Sequence, residues 1–358
     1  MMLKYRMMLL LMAICMMILV MKNVFLTNDI PTKVSNKTSK IKKKNEFEVM
    51  NNVEKHRHII IFTNRRSGSS FIGKLFSEHP DVFYMFEPLK PLEFMSEKNI
   101  MEDIGYNYTN DIIKCKFSSL YNHSIHHPKQ PWKMSKIFPG YNNMNDILNT
   151  CKEKPIVVGK IIRIHDLEKL IKAVANDVQI LLLLRDPRGI LNSRIHEKEK
   201  YKNMALHKKK LDMKKVCAMD LKNLKFFLRI NDAQEKSLSD ESRQKIADDK
   251  RNLPLHGLKR STVRVQQHNI RLILYDKFVL DPIKQTSEIY QSLGLQMHEN
   301  VSQWLMKNSN QKSNLTYGTS RKSEDMARKW KTELSTSDLK MVENIEECLE
   351  LIQVLTRH

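Results

Sequence analysis

Glycine is scarce in this sequence, with nine residues among 358. No internal repeat is evident, which excludes a repeat architecture. With so few glycines, the pair Gly68 and Gly73 stands out in the stretch TNRRSGSSFIGKLF, residues 63–76. Gly68 and Gly73-Lys74 have the spacing of a Walker A phosphate loop, but Leu75 stands where that motif requires Ser or Thr. Without this hydroxyl the loop has no Mg²⁺ ligand, so we interpret the Walker match as a coincidence.

Negative charge is in deficit. The chain has 40 Asp and Glu against 61 Lys and Arg, a formal net charge of +21. This indicates an anionic partner, which could be nucleic acid, an acidic membrane surface, a phosphorylated cofactor or an acidic glycan. Charge alone does not choose among these. The Lys-rich stretch 198–215 is typical of a solvated helix face or loop, with attraction of a polyanionic substrate as the alternative.

The N-terminus carries the one long apolar run, because residues 7–21 contain no charged side chain. Fifteen residues are short for a membrane span, but counting on to Leu26 gives enough length if the Lys22 side chain reaches the interface. Lys4 and Arg6 precede the run and favour a cytoplasmic N-terminus. A cleaved signal peptide is the alternative, yet no small-x-small cleavage site follows. The sequence therefore predicts a cytoplasmic tail at 1–6, a transmembrane anchor at 7–26, a flexible stem at 27–56 and a lumenal domain at 57–358.

Cysteine is also scarce, with five residues, one of which lies inside the apolar run. The other four suit two disulfides in an oxidising compartment, with three pairings open and buried free thiols as the alternative. These four are Cys115, Cys151, Cys217 and Cys348. Sequons for N-glycosylation support an exported chain, and they occur at Asn36, Asn107, Asn122, Asn300 and Asn314.

Short, continuous apolar runs alternate with helical patterns in the folded part of the chain. The runs lie at 58–63, 156–164, 178–184 and 271–276. Runs of this kind are typical of strands buried on both faces, and their alternation with helices predicts an α/β fold with a parallel sheet and crossover connections. Such sheets bind ligands at the carboxyl ends of their strands. Two polar loops, RSGSS and RDPRG, follow strands in this way.

Both loops have the residues of an anion site. In RSGSS, small residues let backbone N–H groups converge on one point at a helix N-terminus, and Arg66 adds a charge that does not titrate. In the second loop, Arg185 and, about two turns into the next helix, Ser193 could hold another phosphate. A local Arg185–Asp186 ion pair is the alternative. Two anion sites on neighbouring strand ends suit a nucleotide that carries phosphates at both ends of its ribose.

The stretch RSGSSFIGKLFSEHPDVFYMFEPL resembles the 5′-phosphosulfate loop of the Golgi carbohydrate 6-O-sulfotransferases, which act on N-acetylglucosamine, galactose or N-acetylgalactosamine. LLLLRDPRGILNSR is similar to their 3′-phosphate-binding motif, and the two blocks keep the family's order and approximate separation. Weaker similarity continues through LYDKFVLDPIKQTSEIYQSLGL and TYGTSRKSEDMARKWKTEL. The resemblance covers roughly residues 58–355. It implies the sulfotransferase fold, an α/β fold with a P-loop-like parallel sheet flanked by helices.

The resemblance implies transfer of a sulfo group from 3′-phosphoadenosine 5′-phosphosulfate (PAPS) to a sugar hydroxyl, at the 6-O position, without a metal. Arg66 and the loop amides would stabilise the charge that grows on the bridging oxygen of the leaving nucleotide. The donor-binding residues implied by the resemblance are Arg65, Arg66, Ser67, Gly68, Ser69, Ser70, Phe71, Arg185, Ser193 and Arg321.

A base must accept the proton of the attacking hydroxyl, and the resemblance assigns this role to Glu87 in FEPL. A helix cap or an ion pair is the alternative for Glu87. His79 is a rival base, although a histidine before Pro80 is more typical of a turn. The histidines of HSIHH, residues 123–127, lack a nearby cysteine or carboxylate pattern, so we expect no metal there.

The chain departs from the family pattern at two places. Arg65 stands where an aromatic residue is common, and LYDK, residues 274–277, replaces Arg-Tyr-Glu-Asp. Extra charge at Arg65 would suit an acidic acceptor, and we expect the acceptor pocket in segments 88–150 and 195–265. The expected partners are a glycan acceptor and the Golgi membrane, with no nucleic acid and with a homodimer left open. A protein-tyrosine sulfotransferase and a basic, lectin-like glycan binder are the alternative functions.

Overall fold

The structure is a computed structural model that describes residues 56–94, 98–128, 132–237, 269–309 and 327–357. All of them belong to one compact unit, Glu54–His358. The predicted anchor at 7–26 and all but the last residue of the predicted stem lie outside the described residues. Within the described ranges, no helix combines the length and the apolar character needed to cross a bilayer.

Five parallel strands form the central sheet, in the order β2-β3-β1-β4-β5. Their bounds are β1 Arg57–Phe62, β2 Val82–Phe86, β3 Ile156–Ile161, β4 Val178–Leu184 and β5 Ile270–Leu274. The parallel α/β sheet predicted from the sequence is confirmed. All five strands run the same way, so their carboxyl ends meet at one edge of the sheet.

Helices cover both faces of this sheet. In chain order they are α1 Ser69–Ser77, a 3₁₀ helix at Lys90–Phe94, α2 Lys98–Ile113, α3 Ser119–Ile125, α4 Met134–Ile137, α5 Met144–Glu153, α6 Leu167–Ala173, α7 Pro187–Glu197, α8 Glu199–Lys202, α9 Leu206–Ser237, α10 Tyr275–Phe278, α11 Pro282–Ser292, α12 Glu299–Ser309, α13 Trp330–Glu333, α14 Thr336–Glu343 and α15 Glu346–Arg357. Successive residues of β1 alternate between the two cores, with Ile59 and Ile61 in one and Ile60 and Phe62 in the other. A strand with two dry faces must be apolar at every position, which explains the continuous run.

The structure corrects two strand predictions and adds one strand. The run 271–276 is a strand only to Leu274, because Tyr275 begins α10. The run 156–164 ends as a strand at Ile161. The sequence VFYMF, residues 82–86, forms the edge strand β2, which we did not predict. Five residues of aromatic and aliphatic type do not distinguish a strand from a buried helical turn by periodicity, which is why this strand was missed.

Two disulfides cross-link the helices. Cys115, just after α2, bonds Cys151 of α5, and Cys217 of α9 bonds Cys348 of α15. The structure thus selects one of the three pairings left open by the sequence, and the free-thiol alternative is wrong. Both bridges lie in the core on the side of the sheet that contacts α9.

The Lys-rich stretch 198–215 forms α8 and the beginning of α9, with most of its lysines exposed. Lys209 is the buried exception, and its ammonium lies 3.2 Å from the Asp338 carboxylate of α14. The expectation of a solvated helix face is confirmed for most of this stretch. Three of the sequon asparagines, at positions 107, 122 and 300, fall within the described residues and are exposed.

Candidate active site

The loop between β1 and α1 has the backbone conformation of a cradle. Arg66 and Gly68 both have left-handed φ angles, of 73° and 92°, and Gly68 is the N-cap of α1. The Gly68 carbonyl accepts hydrogen bonds from the N–H groups of Phe71 and Ile72 at 3.0 and 3.3 Å. The N–H groups that precede these two remain at the start of the helix, where the helix dipole favours an anion.

Gly68 is required by a close approach as well as by its φ angle. A Cβ atom at this position would lie 2.1 Å from the ring of Tyr275, the first residue of α10. The same ring lies under the second loop, because the Arg185 guanidinium carbon is 4.6 Å from its centroid. One aromatic side chain therefore supports both loops.

Gly73, Lys74 and Leu75, which match the second half of the Walker A motif, have packing or surface roles in α1. A Cβ atom on Gly73 would lie 2.0 Å from the hydroxyl oxygen of Tyr84 in β2, so this glycine allows α1 to approach the sheet. Lys74 lies within α1 and pairs with Glu78, one turn further on. Leu75 is a core residue with 1% of its surface exposed. None of the three contributes to the cradle, and the interpretation of the match as a coincidence is confirmed.

The second loop joins the first through Arg185 and Ser193. Arg185 is buried after β4 and donates from Nη1 to the backbone carbonyl of Arg66, at 3.0 Å. Arg66 donates from Nε to the Ser193 hydroxyl in α7, at 2.9 Å. The structure therefore connects Arg66, which the sequence assigned to one anion site, with Arg185 and Ser193, which it assigned to the other. Gly189 makes room for this arrangement, since a Cβ atom there would lie 2.8 Å from Arg185 Nε.

Asp186 takes a structural role in the second loop. Its carboxylate caps α7 by accepting from the Arg188 N–H at 2.8 Å, and it lies 2.7 Å from the Arg188 guanidinium. Among the described residues its ion pair is thus with Arg188 and not with Arg185. The Asp186 N–H in turn donates to the Asp276 carboxylate at 2.7 Å, and burial raises the pKa of Asp276. The LYDK stretch therefore holds the second loop in place.

Two carboxylates, from α7 and α9, contact residues 64–66 at the beginning of the β1–α1 loop. Glu197 of α7 lies 3.5 Å from Arg65 and 3.7 Å from Arg66, and it partly balances the charge that we expected Arg65 to offer an acceptor. Asp220 of α9 accepts from the Asn64 side chain at 2.7 Å, and burial raises the pKa of Asp220 to about 7. These contacts hold Arg66 and the two residues before it.

Glu87 follows β2 and is held between two cations. Its carboxylate lies 3.1 Å from Lys160 Nζ and 2.5 Å from Arg163 Nη2. The Glu87 backbone adopts an unusual left-handed φ of 53°, a conformation that costs free energy and is often found in functional sites. The ion pair named as the alternative role of Glu87 is thus present, and its role as a base stays a prediction.

Lys160 and Arg163 are site residues that our sequence reasoning missed. Lys160 lies near the end of β3, and its ammonium is 3.4 Å from the Ser70 hydroxyl. Burial lowers the pKa of Lys160 to about 8, an effect that the Glu87 carboxylate opposes. The sequence did contain a signal for these two residues. Lys160 and Arg163 are the only charged residues in the apolar run IVVGKIIRI, and they lie toward its carboxyl end, where ligands bind in parallel sheets.

Four further predicted residues differ in their surroundings. Ser69 is the first residue of α1 and is buried. Ser67 is fully buried, and its hydroxyl has no hydrogen-bond partner among the described residues. Phe71 packs against Phe278 and Trp304, with ring centroids 5.8 and 5.1 Å apart. Arg321 lies outside the described residues.

His79 stands apart from this site, because it precedes β2 at the amino edge of the sheet. Its Nδ1 accepts from the Asp81 N–H at 3.2 Å, which is the turn that we expected before Pro80. Burial lowers the pKa of His79. The rival assignment of His79 as the base is therefore not supported by its position. Among the described residues no group of His, Cys, Asp and Glu is arranged to hold a metal.

Comparisons with known proteins identify the family to which these two loops belong. The family model described as a sulfotransferase domain matches residues 56–350. The chain belongs to the sulfotransferase domain family. Carbohydrate sulfotransferase 1 of Danio rerio is 25% identical to this sulfotransferase over 335 residues, 79% of this chain and 74% of its own. Carbohydrate sulfotransferase 3 of Rattus norvegicus is 23% identical over 321 residues, 77% of this chain and 62% of its own.

Among solved structures, the sulfotransferase domain from the Synechococcus PCC 7002 olefin synthase aligns with a TM-score of 0.43 and 14% identity. The alignment covers 84% of this sulfotransferase and 96% of that domain. The resemblance stated from the two loops is confirmed by the family match and by the relatives named carbohydrate sulfotransferase.

A pocket of about 320 Å³ opens beside the second loop of this sulfotransferase. Its lining includes Asp186, Arg188, Lys277 and Trp330. The Arg188 guanidinium carbon lies 4.1 Å from the centroid of the Trp330 ring. The pocket thus lies beside the carboxyl ends of β4 and β5.

Proposed function

We propose that this protein transfers a sulfo group from PAPS to a sugar hydroxyl of a glycan or proteoglycan chain, at the 6-O position. The observation that carries the proposal is the direct connection of two basic loops at the carboxyl edge of the sheet, through Arg185, Arg66 and Ser193. Sulfotransferase family membership supports the donor, and the carbohydrate sulfotransferases among its relatives support the sugar acceptor.

The residues of the two loops fit such a donor. The Ser67 hydroxyl and Arg185 Nε are buried polar groups without a hydrogen-bond partner among the described residues, and buried polar groups ordinarily have one. Arg66 and Arg185 are guanidinium groups, whose planar fork suits a phosphate. We assign the 5′-phosphosulfate to the β1–α1 loop and the 3′-phosphate to Arg185 and Ser193.

The chemistry assigned to the site is an in-line transfer. The sugar oxygen forms a bond to sulfur while the bond from sulfur to the 5′-phosphate oxygen breaks, and the hydroxyl proton passes to a base. Arg66 and the amides at the start of α1 stabilise the charge on the departing phosphate. Glu87 is the base that we propose, with Lys160 and Arg163 holding its carboxylate at the edge of the loop.

Binding of the donor product tests this assignment. We expect adenosine 3′,5′-bisphosphate to bind in the absence of Mg²⁺, as measured by titration calorimetry. With labelled PAPS and a panel of glycans, Arg66→Ala should lower sulfo transfer by about 10²–10³-fold, because it removes one donor to the developing charge. Arg357→Ala is the matched control, since Arg357 is exposed near the end of α15.

Each alternative function has its own outcome in this experiment. A lectin-like glycan binder would not bind the bisphosphate, and a tyrosine sulfotransferase would bind it and modify peptides instead of sugars. Absence of bisphosphate binding, or equal transfer by Arg66→Ala and the control, would contradict the assignment.

We further propose that the chain is a single-pass type II protein of the Golgi membrane with its catalytic domain in the lumen. The two disulfides support this location, because such bonds persist in oxidising compartments. In intact Golgi vesicles the domain should resist added protease until detergent is present. Digestion without detergent would place the domain on the cytoplasmic side.

A further inference from the structure

Trp132 lies among three cationic side chains. The Lys136 ammonium is 4.7 Å from the centroid of its ring, the Lys90 ammonium 5.6 Å and the Arg163 guanidinium carbon 6.0 Å. The ring is half-buried, and its centroid lies 5.8 Å from that of Phe86. We call Trp132, Lys90, Lys136 and Arg163 the Trp132 cluster.

The three cations of the Trp132 cluster outnumber the two carboxylates that pair with them, Glu87 and Glu93. Arg163 pairs with Glu87 and, at 2.9 Å, with Glu93, and Lys90 also pairs with Glu93. Lys136 has no carboxylate within ion-pair distance among the described residues, and buried Arg163 Nε has no hydrogen-bond acceptor among them. The face of the indole offsets only a small part of the repulsion between the cations.

The Trp132 cluster is continuous with the candidate active site. Ser70, in the first turn of α1, contacts Lys160, which pairs with Glu87. Glu87 in turn pairs with Arg163 of the cluster. Glu87, Lys160 and Arg163 lie where β2 and β3 end, on the opposite side of β1 from the loop of Arg185. Trp132 and Lys136 also belong to segment 88–150, one of the two segments in which we expect the acceptor pocket.

Sugars carrying an acidic group match this combination of side chains. The apolar C–H face of a sugar ring can stack on an indole, and a sulfate ester or carboxylate on the same ring can accept hydrogen bonds from ammonium and guanidinium groups. A neutral sugar would use the ring alone and leave the excess positive charge without a partner.

We propose that the Trp132 cluster is an acceptor subsite for an anionic sugar ring, which bears a sulfate ester or a carboxylate and neighbours the ring that receives the sulfo group. The subsite rests on the proposed function, since it lies beside the place assigned to the reacting hydroxyl. Lys136 is its main discriminating residue, because its charge is the least compensated in the cluster.

The test compares one trisaccharide backbone in neutral, monosulfated and monocarboxylated forms. Binding is measured by titration calorimetry at two salt concentrations for the wild type, Lys136→Gln, Trp132→Ala and Lys152→Gln. Lys152 is a matched control, because it is exposed on α5 at the amino edge of the sheet. Steady-state transfer with the same three acceptors separates effects on KM from effects on kcat.

We expect the wild type to bind at least one anionic form more tightly than the neutral form. Lys136→Gln should weaken binding of that anionic form by about fivefold, raise its KM and leave the neutral form unchanged. Trp132→Ala should weaken all three forms, and Lys152→Gln none. Whether the sulfated form, the carboxylated form or both lose affinity identifies the acidic group that the subsite takes.

Equal wild-type affinity for the neutral and both anionic forms would overturn the subsite, as would identical behaviour of Lys136→Gln and Lys152→Gln. Binding of adenosine 3′,5′-bisphosphate should be the same in all four proteins, which checks that the variants are folded. If no protein transfers sulfo groups but Lys136→Gln still loses anionic affinity selectively, the proposed function fails and the anionic-sugar site stands.

Discussion

Arg185→Ala is expected to weaken binding of adenosine 3′,5′-bisphosphate by about a hundredfold while weakening binding of adenosine 5′-monophosphate far less. Arg185 is assigned to the 3′-phosphate, and charge-assisted hydrogen bonds of a guanidinium are each worth about 1.5–3 kcal/mol. The monophosphate lacks the group that Arg185 binds. Its smaller loss measures the second role of Arg185, which is to hold the Arg66 carbonyl.

Titration calorimetry of both proteins with both nucleotides gives a double-mutant cycle, in which one change is Arg185→Ala and the other is removal of the 3′-phosphate from the ligand. The cycle measures the interaction energy between Arg185 and that phosphate. Arg185→Lys should fall between the wild type and Arg185→Ala, because it keeps the charge and loses the fork. Arg357→Ala again provides the control. An equal loss for both nucleotides would show that Arg185 acts only through the position of the β1–α1 loop.

Removal of the Cys217–Cys348 disulfide is expected to cause the largest loss of stability. This bond closes a segment of 131 residues, whereas Cys115–Cys151 closes 36. In the chain-entropy account the two bonds contribute about 5 and about 4 kcal/mol to the free energy of unfolding. Whole domains are stable by only about 5–15 kcal/mol, so either loss is a large fraction.

Equilibrium urea unfolding, followed by tryptophan fluorescence, would compare Cys217→Ala/Cys348→Ala with Cys115→Ala/Cys151→Ala. The first double variant should unfold at the lower urea concentration. The reverse order would mean that packing around the shorter loop outweighs chain entropy. Both double variants must be compared with the oxidised wild type, because partial reduction of the wild type would narrow the difference.

The central strands of the fold could be predicted because both of their faces are buried. The buried positions of such strands are mostly apolar, and β1 and β4 show this in IIIF, residues 59–62, and ILLLL, residues 180–184. The edge strand β2 was missed, because a five-residue run of aromatic and aliphatic residues lacks a distinctive period. The end of β5 was missed as well, since nothing local to Tyr275 indicates that it begins a helix.

The residues of the candidate site could be predicted where those that act together are close in the sequence. Arg66 and the small residues after it lie within one short segment, and so do Arg185 and Ser193. The environment of Glu87 was not predictable, because it depends on cations distant in sequence. Arg163 lies 76 positions from Glu87, and a lysine such as Lys160 in an apolar run gives no indication of its partner. The Trp132 cluster could not be predicted for the same reason, because its residues are far apart in the sequence.

The ring of Tyr275 constrains which substitutions this protein can accept. It occupies the space that any side chain at position 68 would need, and it also supports the guanidinium of Arg185. A larger residue at 68 therefore demands a smaller one at 275, and that change removes the surface beneath Arg185. A substitution at position 68 or at position 275 alone therefore destabilises the site, whichever comes first. We expect Gly68, Tyr275 and Arg185 to change in evolution only together.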